Sequence, residues 1–270
     1  MTIAICCRRN CAVALNTIRY FREAGKEISL VVVETAQRTR LSATERLFRR
    51  AHVGLHAYLY PLLIHTNLVG WIRGMVPGNI EAMLKRALGR MRRDRVKLIS
   101  REMGIPFVEV DRHSSMETRL LLVRHGVRYV LLASSAWLIR EPLLSMSATR
   151  IINAHCARLP RHRSLDSLPW SVLENDKIGL TAHFVDGGID TGPILLFIEV
   201  VPQKGDNLIT LRRRVDSRRP EIFFRAIQGL QEGHINPIAQ RECEGVHHRP
   251  MTVSELIGAE KVLQERLRQL

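Results

Sequence analysis

The first part of the chain alternates between apolar strands and a helix, and this alternation restricts the fold more than any other feature. Residues 2–7 are predicted to form a short buried strand, residues 12–24 have helical spacing, and residues 30–33 are a continuous apolar, largely β-branched run. Such a run is typical of a parallel strand that is covered on both faces. Because a strand, a helix and a second parallel strand join through a right-handed crossover, we predict a parallel sheet.

The same alternation continues into the second half of the chain. Strands are predicted at residues 107–110, 129–133 and 150–153, with a helix at residues 115–126 and a short helical link at residues 143–146. Strands that alternate with helices are typical of an α/β fold with a doubly wound, mostly parallel sheet. No G-x-G-x-x-G fingerprint follows the first strand, so the pattern does not indicate a dinucleotide-binding domain.

We predict two parts in the chain. An α/β domain spans residues 1–204 and carries a basic, mostly helical insert at about residues 41–103. Residues 205–270 are predicted to form a small helical C-terminal extension, with one long helix at residues 210–231 and a second at residues 253–270.

Basic residues outnumber acidic ones, with 41 Lys and Arg against 26 Asp and Glu and a formal net charge of +15. Such a balance favours anionic partners, which include nucleic acid, an acidic membrane surface and phosphorylated small molecules. The alternative is a solvated basic surface without a specific partner, because net charge bears on partners and solubility and not on fold.

The cysteines and the apolar segments indicate in which cellular compartment the protein is expected. The five cysteines are odd in number and form no second ligand-spaced cluster, which fits reduced thiols in a cytoplasmic protein. Arg8 and Asn10 interrupt the first apolar run, so the N-terminus does not resemble a signal peptide. Residues 53–72 contain no charged residue and have the length of a membrane span. Their histidines, asparagine and proline favour a buried or interfacial helical pair instead.

Polar residues that suit catalysis lie between residues 151 and 195. Asn153 and His155 stand at the carboxyl end of a predicted strand, where ligands bind in open α/β sheets. Since side chains alternate along a strand, both are expected to point the same way. Further along the chain, the glycine-rich turn at residues 187–192 can hold the Asp190 carboxylate in a fixed place.

The motifs in this stretch resemble those of the folate-dependent formyltransferases, the family of glycinamide ribonucleotide, methionyl-tRNA and nucleotide-sugar N-formyltransferases. The family pattern is Asn-x-His, a Leu-Pro-x-x-Arg-Gly loop, a Trp, a Gly-[hydrophobic]-Thr-x-His strand and Gly-x-Asp-Thr-Gly-x-Ile-Leu. The matching residues here are Asn153 and His155; Leu159, Pro160 and Arg163; Trp170; Gly179, Leu180, Thr181 and His183; and Gly188, Asp190, Thr191, Gly192, Ile194 and Leu195. The resemblance covers about residues 128–200.

The resemblance implies an enzyme that transfers a formyl group from 10-formyltetrahydrofolate to a primary amine. It implies that Asn153 and a protonated His155 stabilise the oxyanion of the tetrahedral intermediate. It also implies that Asp190 accepts or relays protons and raises the pKa of His155. No metal-ligand spacing is present in the sequence, so no metal is expected.

The resemblance also assigns residues to the two substrates. The folate is expected against two segments that flank the motifs, formed by Ala136, Trp137, Leu138 and Ile139 and by Val185, Asp186, Gly187, Gly188 and Asp190. The acceptor amine is expected near polar residues that follow the first strand or lie in the Leu-Pro loop, namely Arg8, Asn10, Arg161 and Arg163. The basic excess favours a phosphorylated or nucleotide-linked acceptor.

Several residues depart from the family pattern or receive a structural interpretation. Ser164 stands where the family has glycine, and Trp137 stands where it usually has arginine. His183 is predicted to be structural and Trp170 to lie in the core under the loop. The histidines at 247 and 248 have no partners at ligand spacing and are predicted to lie on the surface.

Two other functions stay open at this point. One is a 10-formyltetrahydrofolate hydrolase of the same fold, in which water replaces the amine. The other is a protein of the same fold that has no catalytic activity and binds nucleic acid or a membrane surface. The net charge of +15 suggests this alternative. A nucleic-acid partner is not expected, while peripheral membrane contact and a homodimer stay open.

Overall fold

The computed structural model of the protein describes residues 2–36 and 94–269. Seven strands form one sheet in the order β3-β2-β1-β4-β5-β7-β8, and β6 and β9 form a separate pair. The strands are β1 (Ile3–Arg8), β2 (Leu30–Glu34), β3 (Phe107–Val110), β4 (Tyr129–Leu132), β5 (Arg150–His155), β6 (His162–Ser164), β7 (Gly179–Phe184), β8 (Ile194–Glu199) and β9 (Val246–His248). β1 to β5 pair in parallel, and β7 and β8 are antiparallel to their neighbours. The predicted doubly wound, mostly parallel sheet is therefore confirmed.

Helices cover the sheet on both faces. The α-helices are α1 (Ala12–Glu23), α2 (Arg95–Glu102), α3 (Met116–Arg124), α4 (Ser167–Leu173), α5 (Leu208–Ser217), α6 (Arg219–Gln231) and α7 (Val253–Arg268). Alternate residues of β1 enter two different buried clusters, Ile3 and Ile5 in one and Ala4 and Cys6 in the other. The continuous apolar runs of the sequence thus reflect strands that are buried on both faces.

The point where the strand order reverses lies between β1 and β4. β1 pairs with β2 on one side and with β4 on the other, so the chain leaves the middle of the sheet in opposite directions. In α/β sheets a crevice for ligands forms at this point, outside the carboxyl ends of the strands. Residues 133–139 follow β4 at this edge, and the Arg8 N–H donates to the Ser134 Oγ at 2.9 Å.

The C-terminal part is helical, as predicted, but residues 210–231 form two helices and not one. α5 ends and α6 begins at Arg218, with Pro220 in the first turn of α6. Proline has no backbone N–H, and the first turn of a helix is where that donor has no partner in any case. α6 packs against α1 and the sheet, and the rings of Phe21 and Phe224 are 5.5 Å apart. The predicted extension therefore contributes a layer of the core.

One further prediction differs from the structure in detail. Residues 143–146 form hydrogen-bonded turns and not a helical link. β8 begins at Ile194 and pairs with β7 as a hairpin. Of the predicted insert, the described part is residues 94–103, and Asp94 caps the N-terminus of α2, which leads into β3. Residues 41–93, including the uncharged run at 53–72, lie outside the described residues. Among the residues that are described, no helix is long and apolar enough to cross a membrane.

Candidate functional site

Asp190 lies at the centre of the site, in the turn between β7 and β8. Its φ of 56° is left-handed, a conformation that Asp tolerates better than most residues. The turn is fixed by Asp186, whose Oδ1 accepts from the Gly188 N–H at 3.0 Å and from the Thr191 hydroxyl at 2.7 Å. A Cβ on Gly188 would overlap the Thr191 side chain, so only glycine fits there. The glycine-rich motif therefore aims one carboxylate at the end of the sheet.

Four groups from three strands surround the Asp190 carboxylate. The Ser164 N–H donates to Oδ2 at 3.0 Å, and His155 Nδ1 lies 3.3 Å from the same oxygen. Asn153 Nδ2 and His183 Nε2 each lie 3.5 Å from Oδ1. Burial opposes ionisation, but the histidines and the Ser164 N–H together hold the pKa of Asp190 well below its usual range. Asp190 is therefore an anion at neutral pH, and the expected meeting of Asn153, His155 and Asp190 occurs.

Burial and the neighbouring carboxylate act on His155 in opposite directions. Burial lowers the pKa of His155 to about 4, and the attraction of Asp190, which raises the pKa as expected, does not compensate. His155 Nε2 lies 2.8 Å from the His162 carbonyl oxygen, which can only accept, so Nε2 carries a proton. Nδ1, 3.3 Å from Asp190 Oδ2, can donate to that oxygen only when the ring is protonated. The hydrogen-bond geometry therefore suits the expected protonated His155, while burial opposes it.

His183, which was predicted to be structural, faces the candidate site. It lies directly opposite Asn153 in the antiparallel pairing of β5 and β7. Its Nδ1 donates to the Phe184 carbonyl oxygen at 2.7 Å, which leaves the lone pair of Nε2 3.2 Å from Asn153 Nδ2 in the neutral ring. The signal for this residue was present in the Gly-[hydrophobic]-Thr-x-His pattern of its strand.

Another member of the same strand motif, Thr181, holds the loop that follows β5. Its hydroxyl donates to the Ala157 carbonyl oxygen at 2.6 Å and accepts from the Leu159 N–H at 3.1 Å. The motif therefore fixes the start of the Leu-Pro loop and presents a histidine at the site.

A cleft of about 420 Å³ opens beside Asn153, His183 and Asp190. Its other lining residues are Leu132, Trp137, Leu138, Ile139, Ser164, Leu165, Val185, Asp186, Gly188, Ile189 and His248. Seven of the nine residues predicted to contact the folate line the cleft. The other two sit behind it, since the Ala136 N–H donates to Glu34 and the Gly187 carbonyl accepts from Arg140 at 2.6 Å.

A larger groove lies elsewhere on the molecule. It has a volume of about 490 Å³ and is lined by residues 25–29 and 103–106, which precede β2 and β3. This groove is at the amino ends of the strands, the edge of an α/β sheet where ligands are not expected. The smaller cleft at the carboxyl edge is therefore the better candidate for the site.

A buried carboxylate that the sequence did not single out supports the loop at residues 133–139. Glu34 ends β2 and is 2% exposed. Its Oε2 accepts from the Ala136 N–H at 2.5 Å and from the Ser135 hydroxyl at 3.3 Å, and its Oε1 accepts from the His113 N–H at 3.1 Å. Nearby, the Arg112 guanidinium lies 4.8 Å from the Trp137 ring centroid. These contacts fix the backbone of one wall of the cleft.

The four residues predicted to contact the acceptor are not among those that line the cleft. The Arg8 side chain is exposed at the adjoining end of β1. The Asn10 Oδ1 accepts from the Arg95 N–H at 3.1 Å, so this side chain helps to cap α2. Arg161 is half exposed and lies 3.7 Å from Glu174 and 3.6 Å from Asp176.

Arg163 was predicted to contact the acceptor, but its side chain cannot do so because the residue is only 1% exposed. Its Nε and Nη2 donate to the Gln240 Oε1 at 3.3 and 3.1 Å, and Nη2 also donates to the Arg241 carbonyl at 3.2 Å. The Gln240 Nε2 in turn donates to the carbonyl oxygens of Asp190 and Gly192 at 3.0 and 2.6 Å. Arg163 therefore helps to brace the Asp190 turn through Gln240.

The C-terminal segment brings a second group of histidines to the edge of the cleft. β9 pairs in parallel with β6, in the register His162 with Val246 and Ser164 with His248. His248, predicted to lie on the surface, is 8% exposed because its ring stacks on Trp170 at 4.7 Å between centroids. Trp170 is half-buried beneath this ring and packs against the core, close to its predicted place. His247 stays exposed, as predicted, with its Nδ1 3.3 Å from the Ser164 hydroxyl.

His162 and His248 are in direct contact. His162 Nδ1 lies 3.0 Å from His248 Nε2, and His162 Nε2 lies 3.0 Å from the Asp176 Oδ2. Burial is the main cause that lowers the pKa of each histidine. The Glu174 carboxylate completes a group of three side chains whose ligand atoms lie within 4.8 Å of one another. The sequence did not predict this group, because 86 residues separate the two histidines.

Comparison with known proteins adds to this geometry. A family profile described as formyl transferase matches residues 83–227. Methionyl-tRNA formyltransferase of Desulfotalea psychrophila is 27% identical over 150 residues, which are 55% of this chain and 46% of that protein. The chain thus spans about half the length of this curated relative.

Solved structures share the fold. Glycinamide ribonucleotide transformylase 1 from Symbiobacterium toebii superimposes with a TM-score of 0.56 at 20% identity, covering 88% of this chain and 94% of that chain. A sugar N-formyltransferase from a Shewanella species superimposes with a TM-score of 0.55 at 13% identity, covering 97% of this chain and 87% of that chain. At these identities the likeness concerns the arrangement of strands and helices.

Proposed function

The chain belongs to the formyl transferase family, and from this premise we propose that it transfers a formyl group from 10-formyltetrahydrofolate to a primary amine. The observation that carries the proposal is the convergence of Asn153, His183 and the ionised Asp190 on one cleft at the carboxyl edge of the sheet. Acyl transfer to an amine needs a donor for the developing oxyanion and an acceptor for a proton. These side chains can supply both.

The shape and lining of the cleft support a folate as the formyl donor. Small-molecule sites are mostly apolar with a few polar groups, and they typically enclose roughly 300–1,000 Å³. Trp137, Leu138, Ile139 and Val185 offer apolar surface to a flat bicyclic ring. Asp186 and the backbone of the two wall segments offer polar groups at its edge. The support that Glu34 gives to residues 135 and 136 keeps that wall in one conformation.

The acceptor amine begins the reaction. An ammonium must first lose a proton, and the lone pair on His183 Nε2 is placed to accept it, with Asp190 Oδ1 3.5 Å away to stabilise the resulting imidazolium. Because its pKa is depressed, Asp190 is a weak base and acts as the anionic partner of the amine and of the histidine. His155 Nδ1 lies 3.3 Å from the second carboxylate oxygen and donates to it when the ring is protonated.

The formyl group is then transferred from the folate to the amine. The amine nitrogen forms a bond to the formyl carbon, and the carbonyl electron pair moves to the oxygen. Once His183 Nε2 is protonated it no longer accepts from the Asn153 amide, 3.2 Å away, so the amide can donate to that oxyanion. The bond from carbon to the folate N10 then breaks, and N10 takes the second proton that the amine nitrogen loses. The products are a formamide, tetrahydrofolate and one released proton.

The nature of the acceptor is a finer part of the proposal. The net charge of +15 and the exposed Arg8 beside the cleft favour an acceptor that carries phosphate, such as a sugar nucleotide or another phosphorylated amine. Guanidinium groups bind phosphate through two parallel hydrogen bonds, so replacing Arg8 is one test of this.

A screen of amines tests the function. The full chain is incubated with 10-formyltetrahydrofolate and panels of phosphorylated and unphosphorylated amines, and tetrahydrofolate and formamide are measured together. We expect the two products in equal amounts with one class of amine. Formate release in the absence of amine would instead indicate a hydrolase. No turnover together with no saturable binding of 5-formyltetrahydrofolate at millimolar concentration would contradict the proposal.

A further inference from the structure

Three side chains that the proposed reaction does not use meet beside the cleft. They are His162 in β6, Glu174 at the end of α4 and His248 in β9. Both histidines are buried, while the Glu174 side chain is 35% exposed. Each carboxylate oxygen of Glu174 lies 4.0 Å from one of the two facing ring nitrogens. The three groups therefore surround one point that solvent can reach.

Asp176 fixes the tautomer of His162. Its Oδ2 lies 3.0 Å from His162 Nε2 and can only accept, so that nitrogen carries the proton. The lone pair of His162 Nδ1 is then directed at His248 Nε2, 3.0 Å away. A carboxylate that orients a histidine from its far nitrogen is the usual support of a histidine ligand in metal sites.

We propose that His162, Glu174 and His248 bind one divalent transition-metal ion, and that zinc is the ion they fit best. Two imidazoles and one carboxylate are a common zinc ligand set, with water in the fourth position. This site is independent of the formyl transfer proposed above.

The distances need only a small adjustment to hold the ion. Zinc-to-nitrogen bonds of about 2.0–2.1 Å at a tetrahedral angle separate two nitrogens by about 3.3 Å, against 3.0 Å here. In the metal-free form a single proton bridges the two rings, donated by His248 Nε2 to His162 Nδ1. The ion replaces this proton, and one Glu174 oxygen, now 4.0 Å from the nearer ring nitrogen, moves by roughly 1 Å to reach the ion.

Basic groups near the site set its affinity. Arg161 lies 3.7 Å from Glu174 Oε2 and 3.6 Å from Asp176, and Arg158 lies 3.2 Å from Asp176. Arg161 therefore competes with the ion for the Glu174 carboxylate, and its removal should tighten binding. The bound ion would fasten β9 to β6, next to the Ser164 N–H that holds Asp190.

The test is a titration of the full chain, stripped with a chelator, with zinc by calorimetry and with cobalt by absorption. We expect one ion per chain and a cobalt spectrum of nitrogen and oxygen ligands. Glu174→Gln should weaken zinc binding at least tenfold and His248→Gln should abolish it, while Asp176→Asn should weaken it roughly 10–100-fold. His234→Gln is the matched control, since the His234 side chain is 76% exposed and its Nδ1 lies 3.3 Å from Glu232, which is not part of the group.

Each result decides the proposal. Binding that is lost in Glu174→Gln and His248→Gln, kept in His234→Gln and tightened in Arg161→Ala supports the site. The absence of saturable zinc binding would overturn it, as would equal binding by all the variants. Intense charge-transfer bands with cobalt would place the ion on a cysteine and would also overturn it. Circular dichroism of Glu174→Gln, an exposed and conservative change, separates loss of ligand from loss of fold.

Discussion

Two pairs of histidines lie close to the candidate site, and they differ in what separates the two rings. His155 and His183 approach opposite oxygens of Asp190, at 3.3 and 3.5 Å, so a carboxylate lies between them. His162 and His248 contact each other directly at 3.0 Å, with the Asp176 carboxylate on the far side of His162. A carboxylate between two rings stabilises a proton on either ring, whereas two rings in contact share one proton or one ion. The first pair suits proton transfer, and the second suits a structural link.

The largest expected effect comes from removing the charge between the first pair. Asp190→Asn leaves no anion to stabilise a protonated His183 or to bind the acceptor amine, so kcat should fall on the order of 10²–10³ or more. Asp176→Asn, the same change on the outer side of the second pair, should lower kcat far less. Steady-state kinetics of the two variants make the comparison. Equal losses would show that the two pairs do not have separate roles.

Asn153→Ala should have the next largest effect. The amide donates to an oxyanion that exists only in the transition state, so kcat should fall by about 10²–10³ while folate binding stays near normal. The double variant with Asp190→Asn should lose less than the product of the two single losses, because the two side chains contact each other. Kinetics and a separate measurement of 5-formyltetrahydrofolate affinity test this. A variant that binds folate poorly and keeps kcat would place Asn153 in ground-state binding.

Asp190 should also make stability depend on pH. Its pKa is lower in the folded protein than the value of about 3.9 in an unfolded chain, so its contribution is present above that value and is lost as pH falls through the folded pKa. The difference in free energy of unfolding between the wild type and Asp190→Asn should therefore be constant above about pH 5 and shrink below about pH 4. Urea unfolding over this range measures the difference. A constant difference down to the lowest pH would contradict the assigned charge state.

Ser164→Gly should have the smallest effect. Ser164 has a φ of 76°, a conformation that costs a non-glycine residue roughly 1 kcal/mol. Glycine removes that cost but adds freedom to the unfolded chain, so the free energy of unfolding should rise by at most about 1 kcal/mol. The N–H to Asp190 remains, so kcat should stay close to the wild-type value. Asn175→Gly, at a φ of 56° away from the cleft, is the control for stability. A large loss of activity in Ser164→Gly alone would assign a role to the hydroxyl.

Much of the sheet could be predicted because each of its strands can be recognised from a short apolar run in the sequence. The runs that became β1, β2 and β3 are apolar and bounded by turn residues, and their positions follow from the sequence. Asn153 and Asp190 could be selected because each lies in a short local motif, and these motifs follow one another along the chain in the order of the family pattern. The helical spacing of residues 210–231 predicted one helix and did not show that the first would stop at Arg218, next to Pro220 in the first turn of the second.

The missed features depend on contacts between distant parts of the chain. Burial lowers the pKa of His155, and no local pattern reports that burial. Arg163 is buried by Gln240, which is 77 residues away. His248 enters the site through a three-residue parallel pairing that has too few residues to show a strand pattern. The burial of ionisable side chains here follows from tertiary packing.

The bridge that Gln240 makes has a consequence for the order in which the protein assembles. The strands β1 to β5 all lie within residues 3–155, whereas the turn around Asp190 is tied to a side chain 50 residues further on. Contacts over such separations form late, because the intervening chain must first be ordered. A nascent chain that has not yet exposed residue 240 can therefore fold its sheet without holding the Asp190 turn in place. Catalytic competence would then appear as one of the last events of synthesis, after most of the core is already stable.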